Sequence, residues 1–227
     1  MGQRVPVRVA GAVDMLPELN PERALIFRIV HRDNLPWILG HGVHCRNSQV
    51  FDPQYVNIGN PDLIDKRHGR TVSHAPGGTL SDYVPFYFTP LSPMLLNIKT
   101  GYNGIKKRDN TEIVIMVSSL PHLEKNGIPY LFTDRHAYLV AAKFSDDPAD
   151  LSMIDWGILQ NRDFKRDPDD LGKVERYQAE ALVHKSVGVN GLLGFACCNP
   201  TVRDEIQGIV DEHRVQLKVL AKGGWYF

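Results

Sequence analysis

The sequence predicts an α+β domain built on a mixed, mostly antiparallel sheet. Runs rich in β-branched and aromatic residues occur at residues 24–31, 82–88, 112–117 and 130–133, and such runs are typical of strands. Segments whose apolar residues recur every three or four positions predict helices beside these strands. Together the two patterns favour the α+β class, with helices placed around a sheet.

The first half of the chain predicts a strand, a helix and a long irregular segment. After an opening segment that ends near Pro21, residues 24–31 form a strand, and Asp33 is the predicted N-cap of a helix over residues 34–41. Gly42 ends that helix. Residues 46–78 are rich in Asn, Asp, Gly and Pro, and they predict an irregular excursion with one helical turn near residues 61–66.

The second half predicts the rest of the sheet and one long amphipathic helix. A loop crowded with charge, residues 162–173, separates a helix-compatible region from the later strands. In chain order the predicted elements are strand 82–88, helix 94–98, strand 112–117, strand 130–133, helix-compatible 147–160, strand from 180, strand 192–198, helix 200–214 and strand 216–220.

The composition favours a soluble, unprocessed protein of the reducing cytoplasm. Lys and Arg (26) balance Asp and Glu (26), so a nucleic acid must be held by a local patch. The cysteines Cys45, Cys197 and Cys198 are odd in number and form no CxxC pair, which supports neither disulfides nor a cysteine-rich zinc site. The histidines lack metal-ligand spacing, so no metal is expected. No apolar run approaches about 18 residues, so no membrane partner is expected.

A single carboxylate, Glu180, stands at the start of an apolar run that predicts a strand. A carboxylate on a strand next to a loop is rigidly held and reachable by a substrate. The competing interpretation is a solvated glutamate on the polar side of a strand, which is the commoner situation for charged residues. Glu180 is therefore a candidate catalytic residue that needs support from residues elsewhere in the chain.

Three further clusters offer donors for a phosphate or a nucleic acid. Residues 27–34 run from a strand end into a helix N-terminus, whose free N–H groups suit a phosphate. No glycine fingerprint of a Rossmann or Walker loop occurs in the chain. Residues 66–70 (KRHGR) and 99–108 (KTGYNGIKKR) concentrate basic side chains, and the second cluster could grip a single strand. Solvated basic turns are the commoner explanation of such runs.

Six motifs follow one another along nearly the whole chain. They are RIVHRDNL (28–35), GGTLSDYVPFYF (77–88), SPML (92–95), LFTDRH (131–136), YQAEAL (177–182) and GWYF (224–227). In combination they resemble the DarT family of DNA-targeting ADP-ribosyltransferase toxins. The resemblance begins near residue 22, which implies an N-terminal extension at residues 1–21 and a single domain at residues 22–227. It also implies an ADP-ribosyltransferase fold, in which a mostly antiparallel sheet is split and short helices flank it.

The resemblance implies that the protein cleaves the nicotinamide bond of NAD and transfers ADP-ribose to a base of single-stranded DNA. The base is thymine in most members and guanine in others. Glu180 becomes the catalytic glutamate, because departing nicotinamide leaves an oxocarbenium-like sugar that an anion can orient and stabilise. Gln178 is expected on the same strand face, bordering the site. Arg67 corresponds to the family arginine that contacts NAD and helps activate the acceptor base, although a guanidinium alone removes a proton poorly.

The NAD pocket and the DNA contacts are implied in the same way. Arg28, Ile29 and Val30 would hold the nicotinamide end by their backbone, while the side-chain contacts of Arg28 stay open because many members carry histidine there. Trp37 and Cys45 fall where the pocket wall is expected, with core packing as the rival explanation. Residues 91–108 correspond to the element that covers NAD, and residues 136–180 to the substrate-recognising loop. The candidate DNA contacts are Lys106, Lys107, Arg108, Arg162 and Arg166.

Two alternatives to this function stay open. Within enzymes, ADP-ribose could be transferred to RNA or to a protein side chain, because the NAD half of the site would look alike. From another class, the chain could be a catalytically inactive nucleic-acid-binding module that keeps only the fold. By analogy with the family, a DarG-like macrodomain antitoxin is expected as a partner.

Overall fold

The computed structural model describes residues 16–227 and contains one large sheet, one two-stranded sheet and short helices. The strands are β1 (Leu25–His31), β2 (Val43–His44), β3 (Tyr83–Tyr87), β4 (Ile113–Ser119), β5 (Tyr130–Thr133), β6 (Phe144–Ser145), β7 (Glu180–His184), β8 (Ser186–Val187), β9 (Gly194–Cys197) and β10 (Lys218–Ala221). The helices are α1 (Leu35–His41), α2 (Pro61–His68), α3 (Pro93–Thr100), α4 (Leu120–Lys125), α5 (Trp156–Gln160), α6 (Lys173–Arg176) and α7 (Pro200–Glu212).

The large sheet has eight strands in the order β10-β9-β4-β1-β3-β7-β5-β6. Neighbouring strands run antiparallel, with β9 and β10 as the parallel pair. The small sheet pairs β2 with β8. The predicted mixed, mostly antiparallel core is confirmed.

The large sheet opens between β1 and β3. β1 pairs with β4 along its whole length, from Leu25 to His31, whereas it pairs with β3 at a single position, Phe27 opposite Tyr87. Pro85 lies in the part of β3 that diverges, and it has no N–H to offer a neighbouring strand. The Pro85 carbonyl instead accepts a hydrogen bond of 2.9 Å from Nη1 of Arg28. The sheet is therefore split, as the resemblance implies, and its middle offers a cleft.

A continuous apolar core holds the two halves of the split sheet together. α7 packs on β9 and β10 through its buried Val202, Ile206 and Val210. The GWYF motif closes the chain onto the sheet, because Trp225 packs edge-on against Phe27 and the Tyr226 hydroxyl donates to two strand carbonyls. This motif therefore has a structural role.

Part of the predicted N-terminal extension packs against the domain. Leu16 and Leu19 are buried in the core, and both are tied to Gln160, at 3.0 Å through the Leu16 N–H and at 2.8 Å through the Leu19 carbonyl. Residues 1–15 lie outside the described residues. The domain boundary near residue 21 stays a prediction.

Two local predictions, the Asp33 cap and the place of Gln178 on a strand, are wrong, and a third is right only in part. Asp33 does not cap α1, because residues 32–34 form a 3-10 turn capped by His31, and Asn34 precedes the helix. The Asn34 side chain instead exchanges hydrogen bonds of 3.0 and 2.8 Å with the Val56 backbone. Residues 147–160 divide into a 3-10 helix (Pro148–Met153) and α5. Gln178 lies in the turn before β7, where its side chain donates to the Val174 carbonyl.

The length and polarity of a helix decide whether it could cross a membrane. Within residues 16–227, no helix is both long and apolar enough to span a bilayer.

Candidate active site

A cavity of about 480 Å³ lies in the opening between β1 and β3. Strand residues form one wall, α1 and the segment after it form a second, and α2 closes a third. Its lining includes Arg28, Trp37, Cys45, Ser48, Phe51, Tyr55, Arg67, Ser81, Tyr83 and Pro85. This volume falls in the range of small-molecule and cofactor sites.

Glu180 lies beyond the Arg67 end of this cavity, as the first residue of β7. Its side chain is 1% exposed, so the solvated interpretation does not apply. Its Oε2 accepts from Nη1 of Arg67 at 2.9 Å. Its Oε1 accepts from the Ala137 N–H at 3.0 Å and lies 3.1 Å from Nδ1 of His136. The carboxylate is thus held at both oxygens by groups from two separate segments.

This carboxylate is ionised despite its burial. Burial raises the pKa of Glu180, but Arg67, His136 and the Ala137 N–H outweigh it and hold the pKa at about 2. The backbone is fixed too, because the Glu180 N–H donates to Oγ1 of Thr133 at 3.1 Å. A rigid, negative and nearly dry group is what stabilisation of a developing cation requires.

Arg67 reaches Glu180 from α2, a helix without a fully buried residue. The Arg67 side chain is 11% exposed, and its Nη2 is buried without a hydrogen-bond partner among the described residues. Nε of Arg28 is buried and unpartnered in the same way. Buried donors without partners are costly. Both cationic side chains line the cavity, so an anionic or carbonyl-bearing ligand there would satisfy them.

Two residues of the site were not predicted individually. Tyr87 stands directly opposite Glu180 in the β3–β7 register, and burial together with the Glu180 charge raises the pKa of its hydroxyl. His136 comes from the turn after β5. Both belong to motifs that carry the resemblance, but only the strand register and the turn geometry show that their side chains meet Glu180.

The predicted NAD-binding residues divide into two groups. Arg28, Trp37, Cys45 and Arg67 line the cavity. Ile29 and Val30 are buried core residues whose side chains do not line it. Their backbone runs along the edge of β1 where no pairing with β3 is recorded, which is where the prediction needs free backbone groups.

The predicted DNA-binding residues lie outside the cavity lining. Lys106, Lys107 and Arg166 are exposed. Arg108 is bonded to Glu112 at 2.9 Å with a side chain only 10% exposed, and Arg162 is half-buried. The three exposed residues are free to meet a strand, whereas Arg108 already has a carboxylate partner. All five assignments stay predictions.

The segment that follows α1 borders the cavity, and the assignment of residues 91–108 as the element that covers NAD stays a prediction. Its lining contains nine residues from His44 to Asn57, these two included, and none between residues 91 and 108. Among them Phe51, 70% exposed, stands at the rim. The Asn34–Val56 hydrogen bonds fix this segment to the start of α1. Much of the predicted irregular excursion therefore borders the cavity.

A metal centre finds no support in the described part of the chain. No group of three or more His, Cys, Asp or Glu side chains there is placed to hold an ion. His184 and Glu180, which share strand β7, are not part of such a group.

Comparisons with known proteins agree with this geometry. The family model described as "ssDNA thymidine ADP-ribosyltransferase, DarT" matches residues 27–227. A DNA ADP-ribosyl transferase of Escherichia coli O127:H6 is 50% identical over 216 residues, covering 95% of this chain and 99% of that protein. One from Thermus sp. strain 2.9 is 34% identical over 212 residues, covering 91% and 98%.

Solved structures give the same result. Thermus sp. 2.9 DarT in complex with ADP-ribosylated ssDNA matches with a TM-score of 0.83 and 32% identity, covering 91% of this chain and 98% of that one. The same protein in complex with NAD+ matches with a TM-score of 0.78 and 32% identity, covering 91% and 99%. The chain therefore belongs to the DarT family of ADP-ribosyltransferases.

Proposed function

We propose that this protein transfers ADP-ribose from NAD to a base of single-stranded DNA and acts as a toxin. The observation that carries the proposal is the buried, ionised Glu180 at the end of a cavity that also presents unpartnered donors of Arg28 and Arg67. The family description favours thymine as the acceptor, with guanine as the alternative.

The cavity suits NAD as a co-substrate. NAD carries a pyrophosphate and a carboxamide, which are the acceptors that buried guanidinium donors such as Nε of Arg28 and Nη2 of Arg67 need. The aromatic side chains of Trp37, Phe51 and Tyr55 on the lining provide apolar surface for a ring. The cavity therefore has a charged end near Glu180 and an aromatic lining, and these would bind different parts of NAD.

The chemistry follows from the charge of Glu180. When the bond between ribose and nicotinamide stretches, positive charge develops on the sugar. An ionised carboxylate held in a nearly dry site stabilises that charge more strongly than water does. Arg67 keeps the carboxylate ionised, and Tyr87 lies beside it on the neighbouring strand. Glu180 is thus the catalytic residue of the proposed reaction, and Arg67 is its partner.

The acceptor must be an unpaired base, because a base inside a duplex cannot reach a buried sugar. The exposed Lys106, Lys107 and Arg166, with Arg108 and Arg162, are proposed to hold the strand by its phosphates. The proposal also includes the cytoplasm as the place of action and a DarG-like macrodomain antitoxin as the partner that reverses the modification.

Mass spectrometry of a modified oligonucleotide tests this function. The protein is incubated with NAD and a mixed-sequence single-stranded oligonucleotide, and fragmentation locates any adduct. We expect a gain of one ADP-ribose on thymine. Glu180→Gln keeps the shape but removes the charge, so we expect modification to fall by about a thousandfold while folding is kept. His213→Asn, at the exposed end of α7, serves as the control variant.

Other outcomes would redirect the proposal. Consumption of NAD without a DNA adduct would favour RNA or a protein as the acceptor. Binding of DNA without consumption of NAD would favour an inactive binding module. Undiminished modification by Glu180→Gln would remove Glu180 from the catalytic role.

A further inference from the structure

The proposed reaction needs a base that none of the assigned residues supplies. A ring nitrogen of thymine must lose its proton when it bonds to the ribose. Arg67 cannot accept that proton because a guanidinium stays protonated in proteins. Glu180 is a poor acceptor because both of its oxygens already accept hydrogen bonds, and taking up a proton would break its ion pair with Arg67. A separate general base is therefore required.

We infer that His136 is this general base, with Glu180 holding its imidazole in the active tautomer. The inference rests on the proposed function, because it concerns the acceptor half of that reaction. His136 follows β5, in a turn whose next N–H, that of Ala137, donates to the same carboxylate oxygen of Glu180.

The contact with Glu180 selects the tautomer. Nδ1 of His136 lies 3.1 Å from Oε1 of Glu180, and two lone pairs at that distance would repel. The proton therefore sits on Nδ1 and is donated to the carboxylate. The Tyr138 N–H approaches the same nitrogen at 3.3 Å, which would suit the opposite tautomer. The carboxylate contact is shorter and charge-assisted, so it decides the tautomer.

In the neutral ring with its proton on Nδ1, the other ring nitrogen carries a free lone pair. Nε2 of His136 has no hydrogen-bond partner among the side chains and backbone groups that the structure describes, and it points away from Glu180 because the two nitrogens lie on opposite sides of the ring. The side chain is 14% exposed, which leaves it reachable by a substrate while most of it is held. An imidazole nitrogen with a lone pair, held and reachable in this way, is the usual general base of enzymes.

The turn that carries His136 is fixed by its backbone. The His136 N–H donates to the Glu175 carbonyl at 3.0 Å, and the Thr133 hydroxyl donates to the Arg135 carbonyl at 2.7 Å. These two bonds hold the peptide unit before His136, and the Ala137 N–H bond to Glu180 holds the peptide unit after it. Such preorganisation is what a catalytic base needs.

The proposed step balances in atoms and electrons. The N–H proton of the thymine ring moves to Nε2 of His136, and the nitrogen uses the freed electron pair to bond to C1′ of the NAD ribose. The C1′–nicotinamide bond breaks, and its electron pair stays on the nicotinamide nitrogen, so nicotinamide leaves uncharged. Glu180 stabilises both the sugar cation and the imidazolium that forms. A carboxylate has the same orienting and stabilising effect on the histidine of the serine protease triad.

Two variants of His136 distinguish a general base from a residue that only holds Glu180 in position. His136→Asn places an amide N–H about where Nδ1–H stands, so the donor to Glu180 is kept while the basic nitrogen is lost. His136→Ala loses both. The measurements are the single-turnover rate of oligonucleotide modification at saturating NAD and DNA, and the affinities for NAD and DNA. His213→Asn is the matched control on the surface.

We expect His136→Asn to lower the single-turnover rate by about a hundredfold or more, the usual contribution of a general base, with NAD and DNA affinities changed less than about threefold. A second oligonucleotide carries 5-trifluoromethyluracil in place of thymine, whose ring N–H is more acidic. Because a more acidic acceptor needs less help from a base, this oligonucleotide should restore about tenfold or more of the rate of His136→Asn and change the wild-type rate far less.

Three results would overturn the inference. A normal rate for His136→Asn would exclude a base at this position. An equal loss with both acceptors, or a loss explained by weaker DNA affinity, would assign His136 to binding or support. If the wild-type protein modifies neither oligonucleotide, the proposed function is wrong, and the assignment of His136 as its general base is wrong as well.

Discussion

At the scale of single residues, the site depends on one buried carboxylate and the groups that keep it charged. Burial of Glu180 alone would favour its neutral form, and the low pKa of about 2 shows that Arg67, His136 and the Ala137 N–H together overcome burial. A buried charge is costly unless it is paired and hydrogen-bonded. Glu180 meets that condition at both oxygens, so it can stay ionised for the reaction at no loss of fold.

Removing Arg67 leaves the buried Glu180 charge without its partner, which should lower the stability of the fold. Arg67→Gln is expected to lower the free energy of unfolding at pH 7 by about 3 kcal/mol. The pKa of folded Glu180 lies below its ordinary value of 4.5, so the stabilisation is fully present above pH 4.5 and is lost as the pH falls toward about 2. The difference between wild type and variant should therefore shrink over that window, as urea unfolding at a series of pH values would show.

Arg70→Gln is the matched control for this experiment. Arg70 donates to the Leu139 carbonyl and has no carboxylate partner in the described part of the chain, so its loss should change the unfolding free energy equally across the same pH range. If the Arg67→Gln difference were also constant with pH, the low pKa of Glu180 would have to come from other groups.

The residues of the site could be predicted where a motif contains them, but which side chains contact one another could not. Arg28, Trp37, Cys45 and Arg67 were assigned to the pocket from the resemblance and do line the cavity. Tyr87 and His136 lie in motifs of the same resemblance, yet their approach to Glu180 depends on the β3–β7 register and on a turn. Local sequence patterns describe neither, because both are set by partners about 40 to 90 positions away in the chain.

At the scale of elements, long periodic segments were predictable and short capped turns were not. Apart from the two-residue β6, the strands of the large sheet and α7 were predicted within a few residues because their apolar patterns extend over several turns or pleats. The 3-10 turn at residues 32–34 displaced the predicted N-cap of α1, and the 3-10 helix at residues 148–153 forms the first part of the region predicted to be helix-compatible. Their hydrogen bonds depend on single side chains such as His31 and Asp147, which residue periodicity does not report.

One such short element, α6, holds the turn that contains His136 in place. Arg176 donates to Asp155 at 3.1 Å and to Asp170 at 2.7 and 3.0 Å, and it thereby ties α6 to the loop before it and to α5. The carbonyl of Glu175, one residue earlier, accepts the His136 N–H. The ion-pair cluster therefore positions the proposed base through the backbone.

Arg176→Gln should impair catalysis more than stability. The side chain is 26% exposed, and such partly screened pairs contribute little to folding, so the melting temperature should fall by only a few degrees. The single-turnover rate of DNA modification should fall by about tenfold because the His136 turn loosens. Lys125→Gln at the exposed end of α4 removes the same charge without touching this cluster. Equal rates in the two variants would show that α6 does not position the site.

At the scale of the whole molecule, charge is balanced and affinity for DNA must be local. The chain has a formal net charge of zero, so no long-range field draws it to a polyanion. Exposed Lys106 and Lys107 lie in the segment between α3 and β4, and Arg166 lies in the loop before α6. These side chains are free to bind phosphates, whereas Arg108 is already paired with Glu112.

The salt dependence of DNA binding tests this local patch. Each lysine that neutralises a phosphate releases counterions, and for single strands the slope of log K against log salt is about −0.7 per contact. The double variant Lys106→Gln/Lys107→Gln should therefore flatten the slope by about 1.4 and weaken binding of different sequences alike, as fluorescence anisotropy at several salt concentrations would measure. Lys218→Gln/Lys222→Gln removes the same charge at β10, on the outer edge of the sheet, and should leave the slope unchanged. An unchanged slope in the Lys106 and Lys107 variant would mean that the strand takes another path to Glu180, with Arg162 and Arg166 the next residues to replace.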